Sequence, residues 1–208
     1  YGSREGEVAR QMERYMLLLK RHEDLFGTEK MPLLVSAPGR TELCGNHTDH
    51  NNGRVLAAAV NLDTVAAVSP RDDLQITLHS EGFAPIRVDL NNLSPVKEEQ
   101  GTPASIIRGI AARMQEMGCM VRGFDGTATS NVLSGSGLSS SAAFEVLICA
   151  IFDALYNGMK VDPIERAKIA QYAENVYFGK PCGLMDQMAS SVGGLVAIDF
   201  KAEPKVTP

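Results

Sequence analysis

Between Leu33 and about Leu90 the chain is written in short β-type stretches, and beyond Leu133 it is written in helical ones. A chain in that order builds a sheet first and lays helices on one face of it afterwards, which predicts an α+β fold rather than alternating βαβ units. The strand stretches are Leu33–Ala37, Val55–Val60, Thr64–Ser69, Leu74–His79 and Ile86–Leu90, each β-branched or alternating and bounded by Gly, Pro, Asn or Asp. Ahead of them, residues 6–26 place Val8, Met12, Tyr15, Leu18, Leu19 and Leu25 near helical spacing, and Gly27 is a suitable stop. Asn91–Gln100 is polar and reads as a surface loop. Thr102–Met117 reads as a helix with Ile106, Ile107, Ile110, Met114 and Met117 on one side, and Gly123–Asn131 as a further strand. The helices that follow are Ser140–Tyr156, Pro163 to about Phe178, and Met185–Val192, with a closing strand at Gly194–Phe200.

Composition narrows the partners. Twenty basic against twenty-five acidic residues leave a net charge of −5, so no cationic face for nucleic acid is expected. A hydrophobic share of 44% is enough for a core and argues against disorder. No uninterrupted apolar run reaches the roughly 18–20 residues of a bilayer span, so no membrane partner is expected. Cys44, Cys119, Cys149 and Cys182 are scattered without CxxC pairing, which predicts free thiols in a reducing, cytoplasmic compartment. The chain opens at Tyr1 and stops soon after the last strand stretch, so a truncated chain is expected.

The segment Val132-Leu133-Ser134-Gly135-Ser136-Gly137-Leu138-Ser139-Ser140-Ser141-Ala142-Ala143 carries the first chemistry. Glycines let backbone approach a ligand closely and adopt positive φ. The free N–H groups at the start of the following helix then point at one spot, with the positive end of the helix dipole behind them, and such a site takes phosphate. Serine hydroxyls in that first turn can cap the helix, donate to phosphate oxygens or meet magnesium. A ligand-free Gly/Ser turn is the plainer reading. GxxxxGK[ST] is absent, so this is not a Walker A loop, and Ser134 stands where a nucleophile elbow needs glycine. The segment, continued through Phe144-Glu145-Val146, resembles the second signature motif of the GHMP small-molecule kinases and is most similar to their galactokinase branch.

A second cluster is Pro38-Gly39-Arg40-Thr41-Glu42-Leu43-Cys44-Gly45-Asn46-His47-Thr48-Asp49-His50-Asn51. Dense neutral and anionic hydrogen-bonding groups around a glycine turn suit a polyhydroxylated ligand, because each hydroxyl both donates and accepts. Two rivals stay open: a metal held by His47, Asp49 and His50, and a polar turn with no ligand. Asn46-His47-Thr48 and Asn92-Leu93-Ser94 also fit a glycosylation sequon, read here as chance matches. The stretch resembles the galactokinase signature, with Arg40, Gly45, His47, Thr48, Asp49, Asn51 and Gly53 on matching positions. That resemblance implies Arg40 near the anomeric hydroxyl and the transferred phosphate, and sugar contacts from Asn46, His47 and Asp49. Asn46 stands where the family has glutamate, His50 where it has tyrosine and Glu42 where it has asparagine. An amide at 46 weakens a charge-assisted bond to the sugar, which leaves the hexose open.

A third cluster is Ala173-Glu174, then Gly179-Lys180-Pro181-Cys182-Gly183-Leu184-Met185-Asp186-Gln187. Asp186 falls at a helix start, where the dipole favours its ionised state. Alone, Asp186 and Glu174 could be ordinary helix carboxylates. The pattern resembles a galactokinase motif, which implies Asp186 as the catalytic carboxylate that also contacts the sugar beside Gly183. It further implies ATP on Gly135, Ser136, Gly137, Leu138, Ser139, Ser140 and Ser141, and magnesium on Ser141 and Glu174. The resemblance as a whole implies a ribosomal-protein-S5-like α+β lobe over residues 1–208, the first of two. Within it, residues 1–30 are the N-terminal helix, 31–70 the sugar signature and 124–200 the ATP loop and carboxylate segment. The second lobe is expected to be missing, which exposes an apolar face and favours self-association. A non-catalytic sugar and nucleotide sensor on the same fold, or a kinase for another hexose, are the alternatives.

Overall fold

In this computed structural model, residues 6–27, 29, 31–45 and 48–207 are described, Asp49 and His50 by backbone alone. The elements in chain order are α1 (Glu7–Phe26), β1 (Leu33–Cys44), β2 (Arg54–Pro70), β3 (Gln75–Ser80), β4 (Ile86–Asp89), α2 (Pro103–Glu116) and β5 (Phe124–Ser130). There follow α3 (Ser140–Phe152), α4 (Pro163–Tyr172), α5 (Met185–Val192), β6 (Leu195–Asp199) and β7 (Lys205–Thr207). The strands form one sheet in the order β4-β3-β5-β2-β6-β7, with β1 along the other edge of β2. Among the described residues β3 and β5 pair parallel, and the other pairs run antiparallel.

The length of β2 organises the sheet. The two strands expected at 55–60 and 64–69 are one strand of 17 residues. It pairs with β1 from Leu33↔Val68 to Cys44↔Leu56, while its other edge holds β5 at Thr64–Pro70 and β6 at Arg54–Ala58. The polar residues between the two expected stretches stay extended because Asp63, 4% exposed, is satisfied in place. It accepts from Arg14 Nη1 and from the Ser36 hydroxyl, each at 2.5 Å. A buried carboxylate with two donors need not turn the chain out to water. The first strand is likewise longer than Leu33–Ala37. It runs through Pro38, Gly39 and Arg40 with a register shift between Pro38 and Arg40, so Arg40 sits on a strand and not in a turn.

Helices cover both faces, which corrects the one-face expectation. Ala66 and Val68 face α2 and α3 in a core with Ile76, Leu78, Phe124, Ile107, Ile110, Leu147 and Phe152. Alternate residues of a strand point opposite ways, and Val65 and Ala67 instead meet Leu18 of α1. The buried stripe of α1 is Gln11, Leu18 and His22, while Val8, Met12 and Leu25 of the expected apolar face are exposed. Polar anchoring sets this rotation. Arg14 reaches Asp63 and the Thr129 carbonyl, and His22 Nε2 lies 2.8 Å from Ser69 Oγ. Buried polar groups must keep their partners, whereas an exposed Met costs little.

Two helices change pitch at their ends. Asp153–Asn157 and Ala173–Phe178 are π-helical continuations of α3 and α4. The 18-residue stretch Ser140–Asn157, mean hydropathy 1.3, is long and apolar enough to cross a membrane by length and composition, although Glu145 and Asp153 interrupt its apolar run. Its setting is the protein core, where 61% of that stretch is buried.

Burial of His22 lowers its pKa below the usual 6.5, Asp125 opposing. A depressed folded value means the unfolded chain binds the proton first, so this contribution is present above pH 6.5 and is lost as pH falls through the folded pKa. The unfolding free energy of wild type minus that of His22→Gln is therefore expected to shrink between pH 7.5 and 5, measured by urea denaturation at each pH.

Candidate active site

The loop after β5 has the backbone the glycines allow. Gly135 and Gly137 have φ of 76° and 77°, in the left-handed region where a side chain is strained. Leu133 to Gly137 are exposed, so the bend is open to solvent at the head of α3. Ser136 is turned back, its hydroxyl donating to the Leu133 carbonyl at 2.6 Å. Ser139 is itself left-handed, φ 58°, a conformation that costs a non-glycine residue about 1–3 kcal/mol. Its side chain does not cap α3. Of the three uses open to the serines here, capping is the one Ser139 does not serve, so the first N–H groups of the helix have no side-chain cap.

Arg40 explains the strain. From β1 its backbone N–H donates to the Leu138 carbonyl at 3.0 Å, and Nη1 donates to the Gly137 carbonyl at 2.7 Å. The other edge of the guanidinium makes a fork to Asp186 in the first turn of α5: Nε to Oδ1 and Nη2 to Oδ2, both 2.7 Å. The Ser139 hydroxyl donates to the same Asp186 Oδ2. Residues 146 apart in the chain are thus clamped around the glycine–serine bend. The side chain of Arg40 is 8% exposed and that of Asp186 28% exposed, so the arginine is sunk in the wall and the carboxylate reaches the surface. Bidentate geometry fixes the carboxylate plane as well as its position. α5 is pinned to β1 by Ser190 Oγ donating to the Pro38 carbonyl at 2.7 Å. Of the serines assigned to ATP, Ser139 is thereby engaged with Asp186, while Ser140 opens α3 and Ser141 is exposed on its first turn.

Glu174 enters from the π-helical stretch at the end of α4, a distortion that re-aims side chains and is frequent at functional sites. It is 4% exposed and accepts from Gln187 Nε2 at 3.0 Å and from Lys180 Nζ at 3.3 Å. The Glu174 charge, first by proximity and then by hydrogen bond, holds the Lys180 pKa above its usual value. Glu145, one turn after Ser141 on α3, faces the same Gln187 amide at 3.0 Å. Its carboxyl is pushed well above the usual range, first by burial and then by the nearby Glu174. Burial, then Glu174, also pushes the Cys182 thiol up, so it stays protonated. Sequence reasoning missed Glu145 and Gln187. The one signal was the four-residue spacing from Ser141 to Glu145, which puts both on one helix face.

Among the described residues, no group of three or more His, Cys, Asp or Glu side chains is placed to hold a metal. A hydroxyl from Ser141 and a carboxylate from Glu174 are two hard oxygen donors. That sparse set fits Mg2+, which takes one or two protein ligands and completes its shell with phosphate and water. Gly183 lies half-buried just before α5. Asn46 and His47 lie outside the described residues. Asp49 falls in a 3₁₀ turn, Thr48–Asn51, with its side chain and that of His50 outside what is described.

Two family models match: the galactokinase galactose-binding signature at residues 20–70 and the GHMP kinases N terminal domain at residues 105–194. The chain carries the N-terminal domain of the GHMP kinases and has that domain's fold. Among curated proteins it is similar to galactokinases. It is 34% identical over 171 residues to the galactokinase of Bacillus subtilis and 36% over 162 residues to that of Pyrococcus furiosus. Those matches take in 81% and 77% of this chain and 44% of each relative's length, so the chain spans under half of the proteins it matches. The crystal structure of Lactococcus lactis galactokinase complexed with galactose superposes with a TM-score of 0.85 at 27% identity, covering 94% of this chain and 52% of that one. Methanococcus jannaschii mevalonate kinase, TM-score 0.70 at 15% identity, shares the fold.

Gly39 is where the strand and the bend touch. A Cβ there would lie 2.8 Å from the Leu138 carbonyl and 3.0 Å from a Val132 methyl. Gly39→Ala is expected to push the bend away and cost about 1–3 kcal/mol, read from the urea midpoint.

Proposed function

We propose that this chain is the sugar- and phosphate-binding part of an ATP-dependent sugar 1-kinase, a galactokinase that phosphorylates the anomeric hydroxyl of galactose. The observation that carries the reading is the Arg40–Asp186 fork closed against the Gly137 carbonyl, at the mouth of an open bend that leads into a helix N-terminus. Similarity to a galactokinase solved with galactose supports the choice of sugar. Residues 1–208 are read as one lobe, with a second lobe supplying the rest of a protein of the relatives' length. The described cysteines are all free thiols, in keeping with a reducing cytoplasm.

The mechanism follows from where charge must go. An anomeric hydroxyl is more acidic than an ordinary alcohol because the ring oxygen withdraws electrons. Asp186, exposed at one edge and held by Arg40 and Ser139, accepts or orients that proton while the sugar oxygen attacks the γ-phosphorus of ATP, whose bond to the β,γ-bridging oxygen breaks to release ADP. Arg40 and the N–H groups of residues 135–141 stabilise negative charge on the transferring group. Asn46, His47, Asp49 and Gly183 are assigned to the sugar. Ser141 and Glu174 would hold magnesium, which supplies charge neutralisation at the phosphates. Phosphoryl transfer asks mainly for positioning, so no covalent enzyme intermediate is invoked.

An ATP-dependent phosphorylation assay across free hexoses, run on the full protein, tests this. Galactose is expected to be the best acceptor, and Asp186→Asn is expected to lower kcat by about 10²–10⁴-fold with galactose still bound. Tight sugar and nucleotide binding with no turnover on any hexose would favour the sensor reading instead.

A further inference from the structure

Gln187 follows Asp186 in the first turn of α5 and is 1% exposed. Its Nε2 donates to Oε2 of Glu145 and to Oε2 of Glu174, each at 3.0 Å. Glu145 and Glu174 are themselves 1% and 4% exposed, so each carboxyl group needs a hydrogen-bond partner, and this one amide serves both. Three elements meet on it: α3 with Ser141 one turn before Glu145, the π-helical stretch with Glu174, and the turn with Asp186.

The arrangement is costly for a purely structural contact. Glu145 Oε1 and Gln187 Oε1 are buried without a hydrogen-bond partner. Apolar side chains of the same volume would fill the space without that penalty. What the amide does achieve is orientation. With Oε2 of Glu174 tied to Gln187, it is Oε1 that meets the ammonium of Lys180, so the oxygen left available is the one already drawing a cation.

We propose that Gln187, braced by Glu145, is a positioning residue that sets which oxygen of Glu174 is offered to a divalent cation and locks that carboxylate to the turn carrying Asp186. This rests on the reading of Glu174 and Ser141 as the metal-side groups of an ATP site. Residues that orient a metal ligand from behind typically change metal affinity by about 10–100-fold when removed.

The test uses Mn2+ as probe, its uptake by the full protein with ATP present followed through the rise in water-proton relaxation rate over that of the Mn2+–ATP complex without protein. Gln187→Met keeps the volume and removes the amide, and is expected to weaken Mn2+ by about 10–100-fold with galactose affinity unchanged. Glu145→Gln keeps an acceptor for Nε2 and is expected to bind Mn2+ as wild type does, whereas Glu145→Met weakens it. Combining Glu145→Met with Gln187→Met adds no further loss, because the two act as one unit. Circular dichroism melts show which variants are folded at the assay temperature. If Gln187→Met does not fold, Glu145→Gln against Glu145→Met carries the same comparison. Wild-type Mn2+ affinity in folded Gln187→Met or Glu145→Met overturns the positioning role and leaves the kinase reading intact. A wild-type protein that takes up no Mn2+ with ATP removes the reading of the site, and this inference with it.

Discussion

The buried guanidinium of Arg40 is the interaction on which the site depends. A charge taken out of water is tolerable only when its donors are matched, and Arg40 matches them to two different parts of the chain. One edge binds the Gly137 carbonyl of the glycine–serine bend, the other the carboxylate of Asp186. The bond from the Arg40 N–H to Leu138 ties the same bend to β1. Sheet, bend and α5 therefore cannot move independently, and the left-handed strain at Ser139 is held by this closure. Preorganisation of this kind is what phosphoryl transfer requires, because little covalent work is left to the protein.

Behind that clamp sits a second polar layer. Glu145, Gln187 and Glu174 are buried together, with two acceptor oxygens left over. Proteins keep such unsatisfied groups where they direct a neighbour and seldom where they only fill space. Gln187 adjoins Asp186 in sequence, so the two polar layers share a helix turn. The orientations of the Glu174 and Asp186 carboxylates are set by the same backbone.

How far the sequence could be read differs by element. Met185–Val192 is read at its bounds because Gly and Pro punctuate one end and Gly193 the other. β2 was divided in two because Asn61-Leu62-Asp63 looks like a break. It takes Arg14 and Ser36, from elsewhere in the chain, to make an extended Asp63 stable. The buried face of α1 was read in part: Tyr15, Leu18 and Leu19 do meet the sheet side, but Val8 and Met12 give way to His22, which has Ser69 as a partner on β2, and to Gln11, which is held within the helix by Glu7 and Arg14. In the site, Arg40, Asp186 and Glu174 were legible by motif, while Gln187 was hidden behind Asp186 and Glu145 inside an apolar helix.

What the residues by themselves determined is local: strands before helices, an open glycine bend at the head of a helix, and the chemical types available at each motif. Those follow from φ preferences and periodicity, which act over a few residues. Tertiary structure alone decided that the Ser139 hydroxyl turns to Asp186 and that α1 lies on the far face of the sheet. It alone decided, too, that one amide joins two buried carboxylates. Each of these depends on satisfying a buried polar group with a partner far along the chain, and no local pattern records where that partner will be.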